Sequence, residues 1–415
     1  MSRQPGPDGP VRGAVPPSGR WARASERPTA DGASRADASP AEVRHCLERV
    51  LRQVDDERTA RIAWARLSEP EDPVVAQLVA GGGALGALHG LDPDGELARR
   101  LHPRLAELDL TCEPRILAAL SARVVVPGDD EWPPGVEDLV PPLCLWVRGP
   151  ADLATVGERS VALVGARAAT GYGLHMAREL GAGLAERGFA VVSGAAYGID
   201  AAAHEGALVA GGTTVAVLAG GIDRAYPAGH AGLLDRIARA GAVVSEVPPG
   251  SAPTRWRFLS RNRLIATLAR GTVVVEAGLR SGSGNTARHA REARRVVGAV
   301  PGPVTSAASA GCHVLIRDGA ELVTDVGEVV ELVGRVGELA PVKRAAVDPA
   351  DLLDPVHRRA LDALPHRGAL GVEALAARAG LSAAQALAAL GVLELEGLCQ
   401  RQRGGWRKAP TTAPE

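Results

Sequence analysis

The chain has 415 residues, 46% of them hydrophobic and 23% charged, which is enough for two or three domains with sizeable cores. Its formal net charge of −1 excludes a globally basic coat for nucleic acid, so any such site must be a local patch. Lysine occurs only at Lys343 and Lys408; almost all positive charge is therefore arginine, whose planar fork grips phosphate in a bidentate way.

Residues 1–40 are rich in Pro, Gly, Ser and Arg without periodicity and cannot bury enough apolar surface to order; a disordered segment is expected. They contain no apolar run of the kind that starts a secretory leader, and no later run reaches membrane-span length. Cys46, Cys112, Cys144, Cys312 and Cys399 are widely spaced, with no CxxC pair. That argues against a disulfide framework or a zinc site and for a reducing compartment. A cytoplasmic protein with no metal, no cofactor and no membrane contact is the expectation.

From 41 to 115 apolar residues recur at helical spacing, as in Val43, Leu47, Val50 and Val54. Helices are expected near 58–67, 74–80 and 95–108, with Gly81-Gly82-Gly83 as a connection. The Pro-rich stretch 116–158 reads as a connecting segment holding two short strands. From 159 to 334 apolar runs alternate with amphipathic ones: VALVG, AVVSG, TVAVLAG, AVVSE, TVVVEA and VVGAV, separated by helical stretches. Strands that are apolar throughout and separated by helices imply a doubly wound, mainly parallel sheet, Rossmann-like, with ligands at the carboxyl ends of the strands. A polar linker (335–353) leads to a unit at 354–409 with the element order of a winged helix, and a disordered tail (410–415) closes the chain. Its third helix, AAQALAALGVLELEG, has no basic residue and carries Glu394 and Glu396. Only the following hairpin, with Arg401, Arg403, Arg407 and Lys408, offers charge to DNA, so this unit is read as a protein contact or an accessory DNA contact, not a groove reader.

Four strand ends carry candidate chemistry. Gly165-Ala166-Arg167 and Gly171-Tyr172-Gly173 flank the turn after the first core strand, which reads either as packing or as an anion cradle at a helix start. No acidic residue ends the second strand, where Ser193-Gly194 stands, and this disfavours a dinucleotide. The Ser193 hydroxyl and Gly194 N–H suit a phosphate, Asp200 suits an N-cap, and His204 reads as structural ahead of acid–base. Arg255-Trp256-Arg257-Phe258-Leu259-Ser260-Arg261-Asn262-Arg263 places four arginines among two scarce aromatics. Read as a loop, it joins phosphate grip to base stacking, the signature of single-stranded nucleic acid. Ser281-Gly282-Ser283-Gly284-Asn285-Thr286, after Glu276, is a second hydroxyl- and glycine-rich turn.

The ordered series VALVGAR, VVSGAAYGID, VAVLAGGIDRAYP, SEVPPG, FLSRNRLIA, VVVEAGLRSGSGNTA and GCHVLIRDGA resembles the DprA/Smf family (DNA-processing protein A). The resemblance implies a Rossmann-like core between a SAM-like helical domain and a winged helix. It implies a non-enzymatic binder of single-stranded DNA that protects incoming DNA in natural transformation and loads the RecA recombinase as a homodimer. By position, the binding residues are Gly165, Arg167, Ser193, Gly194, Tyr197, Phe258, Arg261, Asn262, Arg263, Ser281, Gly282 and Thr286. Tyr197 departs from an arginine common in relatives and would replace a phosphate contact by stacking; Gly284 and Asn285 depart from long apolar residues. A competing reading is a Rossmann-like nucleotide phosphoribohydrolase using Glu276 and Arg263, although the PGGxGT signature of such enzymes is missing. A transcription regulator reading duplex through the winged helix is disfavoured by that helix's apolar, acidic face.

Overall fold

The computed structural model describes residues 39–334 and 353–409. The expected N-terminal segment, linker and tail lie outside these residues, apart from their marginal positions 39, 40 and 353. The chain divides into two compact units, broken between 339 and 340.

The first unit opens with α1 (Pro40–Leu51), α2 (Glu57–Leu67), α3 (Pro73–His89), α4 (Glu96–Glu107) and α5 (Glu113–Leu120). Ser39 caps α1 in a reciprocal pair with Glu42, and Asp56 and Asp72 cap α2 and α3. The glycine triplet is not a connection. Helix continues through it to His89, kinked at Gly83, whose φ of 71° only glycine adopts without strain.

A nine-stranded sheet follows. Its elements are β1 (Ala122–Val125), β2 (Leu145–Arg148), α6 (Leu153–Glu158), β3 (Ser160–Gly165), α7 (Gly171–Glu186), β4 (Ala190–Ser193), α8 (Ile199–Val209) and β5 (Thr214–Leu218). Then come α9 (Ala231–Ala240), β6 (Ala242–Ser245), α10 (Arg255–Leu268), β7 (Gly271–Glu276), α11 (Ser283–Glu292), β8 (Val296–Ala299), α12 (Ala310–Arg317), β9 (Glu321–Leu322) and α13 (Val326–Val333). The strand order is β1-β2-β6-β5-β4-β3-β7-β8-β9, parallel from β6 to β9 and antiparallel at the β1-β2 edge. The segment expected to connect two domains thus extends the sheet: Trp146 pairs with Ser245 and Val147 with Val244.

The helices pack on this edge through one continuous apolar cluster that joins Val43, Trp64 and Leu105 to Trp146, Leu218 and Val243. Glu113 fastens the seam, accepting from Trp146 Nε1 at 2.9 Å while pairing with Arg66 at 2.5 Å. Chain order reverses between β3 and β7: β4, β5 and β6 build outward from one side of β3, and the chain then returns to place β7 on the other. Such a switch point opens a crevice at the carboxyl ends of the two strands.

The second unit holds α14 (Pro355–Ala363), α15 (Val372–Ala379) and α16 (Ala383–Leu395), then the hairpin β10 (Cys399–Gln402) and β11 (Gly405–Lys408). Gly380 at φ 63° closes α15, and a Ser382–Gln385 capping box starts α16, which gives the tight turn of a winged helix. Among the described residues no single helix is long and apolar enough to cross a membrane.

His204 shows the cost of the apolar sheet–helix interface. It is fully buried, and its Nδ1 lies 2.7 Å from Thr214 Oγ1, whose own proton goes to the Val191 carbonyl. Nδ1 must therefore donate, and Nε2 is left without a protein partner. Burial lowers the His204 pKa from 6.5 to about 3, so the imidazole is neutral when folded and takes a proton mainly when unfolded. The depressed value makes this contribution to stability complete above pH 6.5, declining as pH falls toward 3. Between pH 6.5 and 5, wild-type stability should fall more steeply than that of His204→Gln, the difference approaching about 1.4 kcal/mol per pH unit in denaturant titrations.

Candidate nucleic-acid interface

A cavity of about 780 Å³ occupies the crevice at the β3–β7 switch point. Gly165, Ala166 and Arg167 form the β3 side, Gly278 and Arg280 to Ser283 with Thr286 form the β7 side, and one face of α10 closes it. Two close approaches set its floor. A Cβ on Gly165 would stand 2.5 Å from Ile199 Cγ1 and 2.7 Å from the Glu276 carbonyl, and that carbonyl accepts from Ala166 N–H at 2.7 Å. Only glycine lets β3 turn against β7 and α8 here.

The segment from Arg255 to Arg263 is helix, not loop. Thr254 caps α10, and the 3.6-residue repeat divides the arginine cluster between two faces. Arg255, Phe258, Leu259, Arg261, Asn262 and Ile265 face the cavity. Arg257 and Arg263 face the N-terminal helices: Arg257 pairs with Glu69, and Arg263, 1% exposed, pairs with Glu246 at 2.5 Å and lies 3.6 Å from Glu71. Arg263 therefore grips no ligand in this cavity. It is a buried strut.

Arg261 is the cation built most deeply into the cavity wall. Its Nη1 donates to the carbonyls of Gly194, at 2.9 Å, and Val217, and its Nε donates to Asn262 Oδ1 at 3.3 Å. Burial lowers its pKa to about 10, opposed by neighbouring Asp200, so it stays charged at neutral pH. Asp200 is not the cap of α8, which starts after Gly198. It lies under the β4 turn, accepting from Gly194 N–H at 3.2 Å and Ala196 N–H at 3.3 Å; burial raises its pKa, against Arg261 and those N–H groups.

These bonds also reassign the Ser193-Gly194 pair. Ser193 is fully buried and donates to the Leu163 carbonyl at 2.6 Å, and Gly194 N–H is committed to Asp200. Neither is free for a phosphate, and neither lines the cavity. Gly194 matters in another way: a Cβ there would meet Arg261 Nη1 at 2.5 Å. Tyr197 is exposed and packs edge-on to His230 with ring centroids 4.5 Å apart, outside the cavity lining. The structure thus gathers Gly165, Arg167, Phe258, Arg261, Asn262, Ser281, Gly282 and Thr286 around one cavity and leaves Ser193, Gly194, Tyr197 and Arg263 out of its wall.

Two further residues join them that the sequence pattern did not single out. Arg280 lines the β7 side, and Tyr226, 47% exposed, packs against Phe258 at 5.4 Å between centroids. Arg167 and Arg261 lie over the Phe258 ring, 5.0 and 5.8 Å from its centroid. Among the described residues Arg167, Arg255, Arg261 and Arg280 have no carboxylate within ion-pair distance, unlike Arg44, Arg58, Arg66, Arg100, Arg104, Arg123 and Arg295. The turn before α11 contributes the linked hydroxyls of Ser281 and Ser283, 2.7 Å apart, while the N–H groups of Ser283, Gly284 and Asn285 are taken up within the turn.

Glu276 is spent on structure. It is buried and accepts from Thr170 N–H at 2.8 Å and Thr170 Oγ1 at 2.7 Å, which fixes the start of α7, and a Cβ on Gly173 would strike it at 2.5 Å. With Arg263 turned away as well, the hydrolase reading loses both of its residues.

Fold and cavity together define a Rossmann-like protein with an arginine-lined cavity at its switch point and a C-terminal winged helix. Residues 123–334 match the family model of DNA recombination-mediator protein A, and 344–405 match the DprA winged helix domain. A putative DNA processing protein DprA from Mycobacterium tuberculosis is 49% identical over 368 residues, covering 84% of this chain and 94% of that protein. Protein Smf of Escherichia coli is 41% identical over 210 residues, covering 50% of this chain and 56% of Smf. The solved structure of DNA processing protein A from Streptococcus pneumoniae superposes with a TM-score of 0.58 at 31% identity, covering 68% of this chain and 99% of that one. The chain belongs to the DNA recombination-mediator protein A (DprA/Smf) family.

The two glycines at opposite ends of the cavity should respond differently to a methyl group. Gly165→Ala meets Ile199 and the β7 backbone and should cost about 1–3 kcal/mol in chemical denaturation. Gly282→Ala has open space and a φ of −64°, and should stay within about 0.5 kcal/mol of wild type.

Proposed function

We propose that this cavity binds single-stranded DNA by phosphate contact and base stacking, without catalysis. The observation that carries the reading is the joining of three exposed arginines without carboxylate partners, Arg167, Arg255 and Arg280, backed by the buried Arg261, to the Phe258–Tyr226 aromatic pair at the switch point. Arg167, Arg255 and Arg280 supply the cations that replace phosphate counterions, with the buried Arg261 behind them, and the turn at Ser281 and Gly282 supplies neutral donors. Phe258 and Tyr226 offer faces on which any base stacks, so affinity should depend little on sequence. Thr286 and Gly165 shape the wall, and Asn262, bonded to Asn285 Oδ1 at 3.1 Å, ties α10 to α11 across it.

Membership of the recombination-mediator family supports placing this binding in DNA processing in the cytoplasm. Protection of incoming strands in natural transformation, loading of the RecA recombinase and action as a homodimer form part of the same proposal. The winged helix enters it as a protein contact or accessory DNA contact. The solvent side of α16 shows Leu387 and Leu395, the latter 90% exposed, and no basic residue.

The test is a salt titration of binding to oligo-dT and to duplex, with the full chain and with a chain ending at 353. Single strand should be preferred by both, with affinity falling steeply as salt rises. Arg167→Ala combined with Arg255→Ala should abolish most affinity and flatten the logarithmic salt slope by about 1.4, at roughly 0.7 for each phosphate that is no longer neutralised. A folded double variant that binds like wild type would overturn the reading. Tyr226→Ala should lose about 1–3 kcal/mol of binding, and Tyr226→Phe should retain it.

A further inference from the structure

Charge in the second unit is sorted by place. Its acidic residues between 353 and 409, Asp354, Asp362, Glu373, Glu394 and Glu396, all lie on or cap the three helices. The stretches 364–372 and 397–409 hold no acid, and they carry Arg367, Arg401, Arg403, Arg407 and Lys408. The fold brings these two stretches together in the β10–β11 hairpin, the wing of the unit. Lys408 N–H donates to the Pro365 carbonyl at 3.0 Å, and Leu370 and Trp406 exchange two main-chain bonds of 2.9 Å. The turn holding Arg367 therefore lies beside the hairpin. A Cβ on Gly405, whose φ is 138°, would strike the Leu370 carbonyl, so glycine lets the hairpin close on this strand.

Arg367, Arg401 and Arg403 are exposed, and among the described residues none of them has a carboxylate within ion-pair distance. Arg401 is steadied instead over the Trp406 ring, 5.8 Å from its centroid. These cations face water and suit a polyanion. Three features select which one. Trp406 is the only Phe, Tyr or Trp from 353 to 409 and is buried, so the wing has no face on which an unpaired base could stack. Helix α16 carries no cation to hold it in a groove, so base edges go unread. Neutralisation of phosphate remains, and duplex presents phosphates most densely, at one charge per about 1.7 Å of axis.

We propose that this wing is a contact for the sugar–phosphate backbone of duplex DNA, independent of sequence. Taken with the single-strand reading of the switch-point cavity, on which this further step rests, it makes a partial duplex the substrate class of the chain. The unpaired part enters the cavity, and the paired part is held by Arg367, Arg401 and Arg403. The wing uses no residue of the cavity, so the two contacts can be removed one at a time.

The full-length protein is titrated by fluorescence anisotropy with oligo-dT, with a blunt duplex, and with the same duplex carrying the oligo-dT as a tail. The tailed duplex should bind about tenfold or more tightly than either part alone, because the second contact becomes intramolecular. Arg367→Gln combined with Arg403→Gln should remove that gain and leave oligo-dT unchanged. The same variant should flatten the logarithmic salt slope for blunt duplex by about 1.8, at roughly 0.9 for each phosphate no longer neutralised. If the double variant does not fold, Arg403→Gln alone should give about half that change in slope. Duplex affinity and slope left unchanged in a folded variant would overturn the proposal and assign the wing to a protein partner. A tailed duplex bound by wild type no more tightly than oligo-dT would overturn it as well. Oligo-dT that fails to bind, while duplex still depends on Arg367 and Arg403, would sink the cavity reading and leave the wing contact standing.

Discussion

A charged guanidinium buried at the carboxyl edge of the sheet organises the first unit. Arg261 leaves water to lie against the carbonyls of Gly194 and Val217, at the ends of β4 and β5, with Asp200 beneath the same turn. Desolvation of that charge is expensive, and it is tolerated only where hydrogen bonds and an opposite charge meet it together. Each neighbour is constrained in consequence. Position 194 must be glycine for the guanidinium to approach, Asp200 must be buried for its carboxylate to hold the β4 turn, and α10 must cross the sheet at the height that brings Arg261 to the strand ends. The cavity is the space this arrangement leaves beside β3 and β7.

Helix α10 works on two sides because a helix turns its residues through a fixed angle. Phe258, Arg261, Asn262 and Ile265, spaced i, i+3, i+4 and i+7, share the cavity face, whereas Arg257 and Arg263 fall on the flank bound to Glu69, Glu71 and Glu246. The arginines facing the N-terminal helices are neutralised and act as fasteners. On the cavity side, Arg261 is held by the strand-end carbonyls and Arg255 stands exposed without a carboxylate partner. One short sequence, RWRFLSRNR, therefore anchors one domain and equips the other.

How much of this was legible beforehand depends on the kind of interaction involved. The parallel strands were legible because burial on both faces removes the polar alternation and leaves runs such as VALVG and TVVVE. The turns at Gly165 and at Ser281-Gly282 were legible because close backbone approach and anion-facing turns demand those residue types. The joining of β1 and β2 to β6 was not legible, since antiparallel pairing across about a hundred residues of chain leaves no local periodicity. Ser193 and Glu276 misled for one reason: a polar residue ending a strand at a ligand edge has the same appearance whether it faces the ligand or closes a neighbouring turn, and here both are consumed by main-chain and threonine partners. Arg263 could have been set aside by helical phase once 255–263 was taken as helix. Tyr226 and Arg280 lie on different connections and meet the cavity only through the sheet's strand order.

The neutral net charge of the chain and its proposed partner are reconciled by the placement of charge, not by its total. Arg66 and Arg123 each meet a carboxylate, as do Arg104 and Arg257, so the fields of these pairs decay over short distance. At the switch point the pairing stops. Asp200, the one acid in that cavity's lining, is buried beneath the β4 turn and held by main-chain N–H groups, while Arg167, Arg255 and Arg280 are exposed. A polyanion entering this cavity meets those arginines, and the rings of Phe258 and Tyr226 stand beside them. The proposed selectivity for single strands rests on that coincidence. Duplex can satisfy the arginines with phosphates, but only an unpaired base can also give its face to the rings.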